Sequence, residues 1–150
     1  HDYKILFLED ESSRIGRVSI PKPWYEKMQK SKIILLNLAM DQRINNIIQE
    51  YIKEPLCNGI PKEQLNENLL SSLYNIRKRL GLDIYNKTKD QINKAFCKSD
   101  EDYHRDWIGS LLKNYYDPMY DYQLSTKMDR CIANTNKDEV ISLINKLEKD

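Results

Sequence analysis

Apolar residues follow two different rhythms along this 150-residue chain. In two short runs they are contiguous: Ile5-Leu6-Phe7-Leu8, and Ile33 to Leu36 inside the segment Lys32–Asn37. Neither run alternates with polar residues, so each reads as a strand buried on both faces, the type found in parallel sheets. Between them Pro21 and Pro23 interrupt regular structure ahead of an amphipathic segment, Trp24 to Lys30, that reads as a short helix. The unit is therefore strand, helix, strand, with the two strands as sheet neighbours.

From Asp41 the rhythm changes to that of a helix. Ile44, Ile47, Ile48, Tyr51 and Ile52 recur at helical spacing behind Asp41 as N-cap, and Pro55 is expected to end the element. Pro61 opens the next, whose stripe is Leu65, Leu69, Leu73, Ile76 and Leu80, with Gly81 closing it in a left-handed conformation. Thr88 and Gln91 have capping-box spacing before Ile92, Ala95 and Phe96. Ser99 or Asp100 caps a helix carrying Tyr103, Trp107, Leu111 and Tyr115, which Asp117-Pro118 is expected to stop. Met128 to Ala133 reads as one more short strand, and Thr135 with Asp138 opens a last helix along Val140, Ile141, Ile144 and Leu147. The fold class expected is α/β and predominantly helical: an α/β unit over 1–54, a helical subdomain over 55–122, and a closing strand and helix over 123–150. The first strand of the sheet is expected upstream of His1, so the chain reads as a fragment.

Composition narrows the function classes. Charged residues make up 31% yet cancel to a net +1, so a nucleic-acid surface has to be a local patch. Cys57, Cys97 and Cys131 are odd in number and widely spaced, which argues against a disulfide framework or a zinc ribbon and for a reducing, cytoplasmic setting. No long apolar span or signal-type segment occurs, so no membrane partner is expected.

The candidate chemistry is concentrated in two stretches. Glu9, Asp10 and Glu11 follow the first apolar run, at the carboxyl edge where open α/β sheets hold ligands, and Ser12, Arg14, Gly16 and Arg17 come next. Carboxylates suit a metal, and guanidiniums suit planar contact with phosphate. The common alternative is a solvated loop with serines as turn formers. Tyr115-Tyr116-Asp117-Pro118-Met119-Tyr120-Asp121-Tyr122 is the second stretch; its tyrosines could stack on bases or bond phosphate, although aromatics at a helix end more often pack a core. Arg77-Lys78-Arg79 in a last helical turn either complements the helix dipole or forms a lid over phosphates. His104 lacks a partner at ligand spacing and reads as an exposed helix residue, and Cys131 as a small core residue. The four glycines make no phosphate-binding P-loop.

Phe7 through Arg17, then Ile20-Pro21, Glu26-Lys27-Met28, Leu111-Leu112 and Tyr115 to Tyr120 together resemble the C-terminal part of tRNA 2-selenouridine synthases. The resemblance implies the later part of a P-loop-type parallel-sheet domain with a helical insertion, the rhodanese-like domain with its catalytic cysteine and the Walker A loop lying outside it. It implies a transferase that converts 2-thiouridine at the tRNA wobble position to 2-selenouridine through a geranylated intermediate. Selenophosphate and geranyl diphosphate are then co-substrates, with no covalently bound cofactor and magnesium as the candidate metal. tRNA and the rhodanese-like region are the implied partners. Glu9, Glu11, Ser12, Arg14, Gly16, Arg17, Tyr116, Asp117 and Tyr120 would bind tRNA or diphosphate, with Glu9 and Asp10 near the metal and no catalytic residue in this chain, which alone would be inactive. Against this stand a small-molecule kinase of the P-loop type, with Arg77 and Arg79 as its lid, and a non-catalytic helical interaction module.

Overall fold

The computed structural model describes residues 5–10, 12–15, 17–98 and 100–147. In chain order these form β1 (Arg14–Ile15), β2 (Val18–Ser19), α1 (Lys22–Lys30), β3 (Ile33–Asn37), α2 (Met40–Ile48), a π-turn (Gln49–Lys53), α3 (Glu54–Cys57), α4 (Lys62–Leu80), α5 (Leu82–Lys98), α6 (Asp102–Leu111), a second π-turn (Leu112–Tyr116), α7 (Asp117–Ser125), a 3-10 turn (Met128–Arg130), β4 (Cys131–Asn136) and α8 (Lys137–Leu147). The chain divides into two compact units: a sheet unit, His1–Leu38 with Ser125–Asp150, and a helical unit, Ala39–Leu124.

In the sheet unit β3 runs parallel to β4, pairing Ile33 with Cys131 and Asn37 with Asn136, with one irregularity between Ile33 and Ile34. The partner expected for β3 was the run Ile5–Leu8. That run instead forms no regular element and is exposed, Leu6 by 70%. Burial on both faces needs strands on both edges and elements over both faces, and none of the described residues pairs with this run. Asn37 Nδ2 donates to Asn134 Oδ1 across the pair. Arg130 Nη1 donates to the carbonyls of Met28 (3.1 Å) and Ser31 (2.8 Å), tying the end of α1 to the start of β4. The strand expected from Met128 begins three residues later, because Met128–Arg130 closes a 3-10 turn first. Asn136, rather than Thr135, caps α8: its Oδ1 accepts from the backbone N–H groups of Asp138 and Glu139, both at 3.0 Å.

The helical unit holds the described core, including Ile44, Ile48, Ile92, Trp107, Ile108 and Leu111. Helix α2 starts at Met40, where the Ala39 N–H donates to Gln42 Oε1 (3.3 Å), so Asp41 lies inside the first turn instead of capping it. Gly81 ends α4 with φ +84°, a conformation that costs a residue with a Cβ. Helix α5 starts at once, so Thr88 and Gln91 are mid-helix and not a capping box: Thr88 is fully buried, and apolar-face burial overrides the capping signal. Asp100 Oδ1 accepts from the Asp102 N–H (3.1 Å) at the start of α6.

Both prolines expected to stop helices fail to do so. Pro55 follows the π-turn Gln49–Lys53 by two residues, and Pro118 follows the π-turn Leu112–Tyr116 by two. In each, the residue before proline donates its N–H five residues back, Glu54 to the Gln49 carbonyl and Asp117 to the Leu112 carbonyl. A proline clashes with the carbonyl four residues earlier in a regular helix, and the wider turn moves that carbonyl aside.

Candidate functional site

The residues predicted to bind substrate fall on different units. In the sheet unit, β1 and β2 form an antiparallel hairpin with Arg14 opposite Ser19 and Ile15 opposite Val18. Two local contacts shape its entry. Ser12 Oγ donates to the Arg14 carbonyl (2.7 Å) while accepting from the Arg14 N–H (3.3 Å), and the Ile20 N–H donates to the Ser13 carbonyl (2.9 Å). Arg17 lies in the connecting turn; Arg14 and Arg17 are both exposed and neither forms an ion pair among the described residues. Glu11 and Gly16, predicted in the same site, lie outside the described residues. Glu9 is exposed, and Asp10 is held by Lys127 at 2.6 Å. Among the described residues no group of three or more His, Cys, Asp or Glu side chains gathers to hold a metal. As placed, one open carboxylate and one already neutralised by lysine do not fit a resident cation.

In the helical unit Tyr116 and Tyr120 line a cavity of about 480 Å³, and Asp117 reaches it through its ion pair with the lining residue Arg43. Its floor is apolar, from Ile47, Leu73, Ile92, Trp107, Ile108 and Leu111, and its rim carries Arg43, Asn46, Tyr51, Ser72, Tyr116 and Tyr120. The two π-turns supply Tyr51 and Tyr116 to that rim. Arg43 makes a two-pronged ion pair with Asp117, Nη1 to Oδ2 at 3.1 Å and Nη2 to Oδ1. The hydrogen bond to Asp117 raises the Arg43 pKa over an opposing effect of burial. Burial raises the Tyr116 hydroxyl pKa, with the neighbouring tyrosines adding to it, so the phenol stays a donor at neutral pH. Tyr115 meets Tyr116 edge to face at 4.9 Å between centroids.

Arg43, Tyr51 and Asn46 were missed as site residues. Arg43 stands four residues before Ile47 and eight before Tyr51, so helical spacing alone places it beside the apolar stripe. His104 overturns its expected exposure: it is 6% exposed. Trp107 Nε1–H donates to His104 Nδ1 at 3.1 Å, and the imidazole meets Phe96 edge-on at 5.0 Å. The true buried face of α6 runs His104, Trp107, Ile108 and Leu111, one residue round from the stripe that started at Tyr103. Burial lowers the His104 pKa. A smaller cavity of about 220 Å³ borders it, with Lys53, Lys62 and Glu101 at its charged side. Cys131 is half-buried, its Sγ donating to the Ala133 carbonyl at 3.4 Å. No described helix is long and apolar enough to cross a membrane.

The family model for the tRNA 2-selenouridine synthase AAA domain matches residues 1–150. The chain belongs to this family. It is 34% identical over 158 aligned residues to the tRNA 2-selenouridine synthase of Shewanella denitrificans, a match covering 98% of this chain and 43% of that protein. It is 35% identical over 152 residues to that of Shewanella frigidimarina, with 94% and 42% covered. With the protein of the same name from Hahella chejuensis the identity is 36% over 135 residues, covering 83% and 36%. The chain thus spans less than half the length of these curated relatives. No solved structure matches it. Family membership accords with the resemblance read from the Phe7–Arg17 and Tyr115–Tyr120 stretches, and the small parallel sheet with its many helices accords with the α/β, mostly helical class.

Proposed function

We propose that this chain supplies the prenyl-diphosphate and tRNA surfaces of a cytoplasmic tRNA 2-selenouridine synthase, a transferase, whose remaining length carries the rhodanese-like region and the Walker A loop. The observation that supports this most is the cavity in the helical unit: a largely apolar lining of a size ordinary for ligand pockets that also includes a held guanidinium and three tyrosines. The geranyl chain of geranyl diphosphate enters the apolar floor. The diphosphate meets Arg43, which uses two of its five N–H donors on Asp117 and keeps three for phosphate oxygens. When the sulfur of 2-thiouridine attacks the first carbon of the geranyl group, the carbon–oxygen bond breaks and diphosphate leaves with the electron pair. Arg43 and the protonated Tyr116 hydroxyl are suited to stabilise that growing charge. Tyr120 lies on the same rim, and Asp117 orients Arg43. Arg14 and Arg17 in the exposed hairpin, with Ser12 shaping it, contact tRNA phosphates. The N3 proton of the base passes to solvent; the selenium of selenophosphate then attacks C2, geranylthiolate leaves with the electron pair of the carbon–sulfur bond, and water cleaves the selenium–phosphorus bond to release phosphate.

The test separates the two steps in the full-length protein. Arg43→Ala should lower kcat/KM for geranyl transfer to 2-thiouridine tRNA by about 100-fold, the usual loss of one transition-state donor, while sparing selenation of tRNA that is already geranylated. Ser72→Phe, which fills the cavity from its rim, should raise KM for geranyl diphosphate in parallel. Unchanged geranyl transfer in both variants would remove the cavity from the reaction.

A further inference from the structure

Helix α4 ends in three consecutive cations, Arg77, Lys78 and Arg79. Tyr74, Arg77 and Lys78 are spaced i, i+3 and i+4 and share one face of the helix. The Arg77 guanidinium lies 3.5 Å from the centroid of the Tyr74 ring, and its Nη1 donates to the Tyr74 carbonyl at 2.8 Å. The group is thus held over a half-exposed ring, with donors left beyond the one used on the Tyr74 carbonyl. Among the described residues no carboxylate pairs with any of the three cations, in a chain whose charges elsewhere nearly cancel. Arg79 continues the line of Ser72 and Ile76, at i+7 and i+3, and both of those residues line the large cavity. Arg79 therefore stands at the edge of the face that lines the cavity, while Arg77 and Lys78 project from the Tyr74 face of the same helix end.

We propose that the end of α4 is a second RNA-binding surface, a ridge on which Arg77, Lys78 and Arg79 contact the phosphate backbone of tRNA beside the nucleotide presented to the cavity. This rests on the function proposed above, and it goes beyond it by moving an RNA contact to the helical unit. A stacked guanidinium matches phosphate oxygens in a plane, and the open ring beside it offers a surface for an unpaired base, a pairing that favours RNA over an acidic peptide. Tyr74 is a positioning residue for Arg77.

The experiment is tRNA binding by the full-length protein, read by fluorescence anisotropy across a potassium chloride series. The variants are Arg77→Ala/Lys78→Ala/Arg79→Ala and, separately, Arg14→Ala/Arg17→Ala, with a polyglutamate of matched charge as competitor. The triple variant should bind about tenfold more weakly at moderate salt, and its slope of log K against log salt should be shallower by about 2 to 3. Tyr74→Leu should reproduce part of that loss and Tyr74→Phe should restore it, since phenylalanine keeps the ring face. A triple variant with the parent's slope, while the Arg14/Arg17 variant loses binding, would overturn the ridge and leave the family function intact. No salt-sensitive tRNA binding by the parent would overturn both, and equal displacement by polyglutamate would reduce the ridge to a general polyanion patch. Should the triple variant melt early, Lys78→Ala at its exposed position carries the same readout, with a slope change of about 1.

Discussion

At His104 a single hydrogen bond fixes a protonation state. The Trp107 indole can only donate, so His104 Nδ1 must accept and the neutral ring carries its proton on Nε2. Protonation would put a second hydrogen on Nδ1, against the indole N–H, and place a charge where the ring is buried beside Phe96. Desolvation accordingly lowers the pKa in the folded chain, with Lys62 lowering it further and Glu101 opposing. The unfolded chain, with its histidine near 6.5, then binds more protons than the folded one as pH falls. Stability from this group is complete above pH about 6.5 and is lost as the pH drops from there towards the lower folded value. Urea unfolding from pH 7.5 to 5 should show that loss in the parent and a flatter profile in His104→Gln. Trp107→Phe removes the donor, costs about 1 kcal/mol for the bond before any loss of packing, and should also weaken the pH dependence. A parent profile no steeper than that of His104→Gln would show that His104 is not held neutral.

Two prolines show at the scale of elements why local signals misled. Pro55 and Pro118 carry ordinary helix-stop information, yet both sit inside continuous helical paths because a π-turn precedes each. Neither Gln49–Lys53 nor Leu112–Tyr116 carries a residue pattern that announces a wider turn, although Tyr51, Leu112 and Tyr116 from these turns all line the cavity. Amphipathic stripes were legible where burial is one-sided, as along α4 from Leu65 to Leu80 and at Gly81. They failed where a polar residue belongs to the buried face, as Thr88 and His104 do, and a strand partner such as β4 for β3 depends on contacts about a hundred residues apart. Of the residues around the cavity, Tyr116 and Tyr120 stand in the tyrosine-rich stretch that composition singles out, whereas Arg43 is hidden because a lone helical arginine defaults to solvent. The π-turn account makes a measurable claim. If the wider turn accommodates Pro118, Pro118→Ala should destabilise by about 0.4–1 kcal/mol through added freedom of the unfolded chain. Were the proline straining a regular helix, the same change would stabilise by up to about 3 kcal/mol, and urea midpoints at constant slope distinguish the two signs.

Across the whole molecule, burial and recognition are divided between the two units. Among the described residues the buried hydrophobic ones all come from the helical unit, from Ile44 to Leu112, while β3, β4 and α8 of the sheet unit are at best half-buried and the Ile5–Leu8 run lies open. Opening a segment costs free energy in proportion to the apolar contacts it breaks, so the local stability of the chain should be graded the same way. Native-state hydrogen exchange of the full-length protein should therefore find its slowest amides in α4, α5 and α6. The β1–β2 hairpin, with two register pairs and exposed arginines, should exchange fastest among the regular elements. That gradient suits the proposed roles. The cavity needs walls that hold Arg43 and Tyr116 at fixed separation, whereas a hairpin that meets RNA phosphates can order on contact. Adding tRNA should then slow exchange at residues 12–20 more than at residues 92–111, while adding a prenyl diphosphate should do the reverse, protecting the helical walls. Hairpin amides as slow as those of α5 in the free protein would contradict the grading. Protection of the same segments by both ligands would contradict the division of labour between the units.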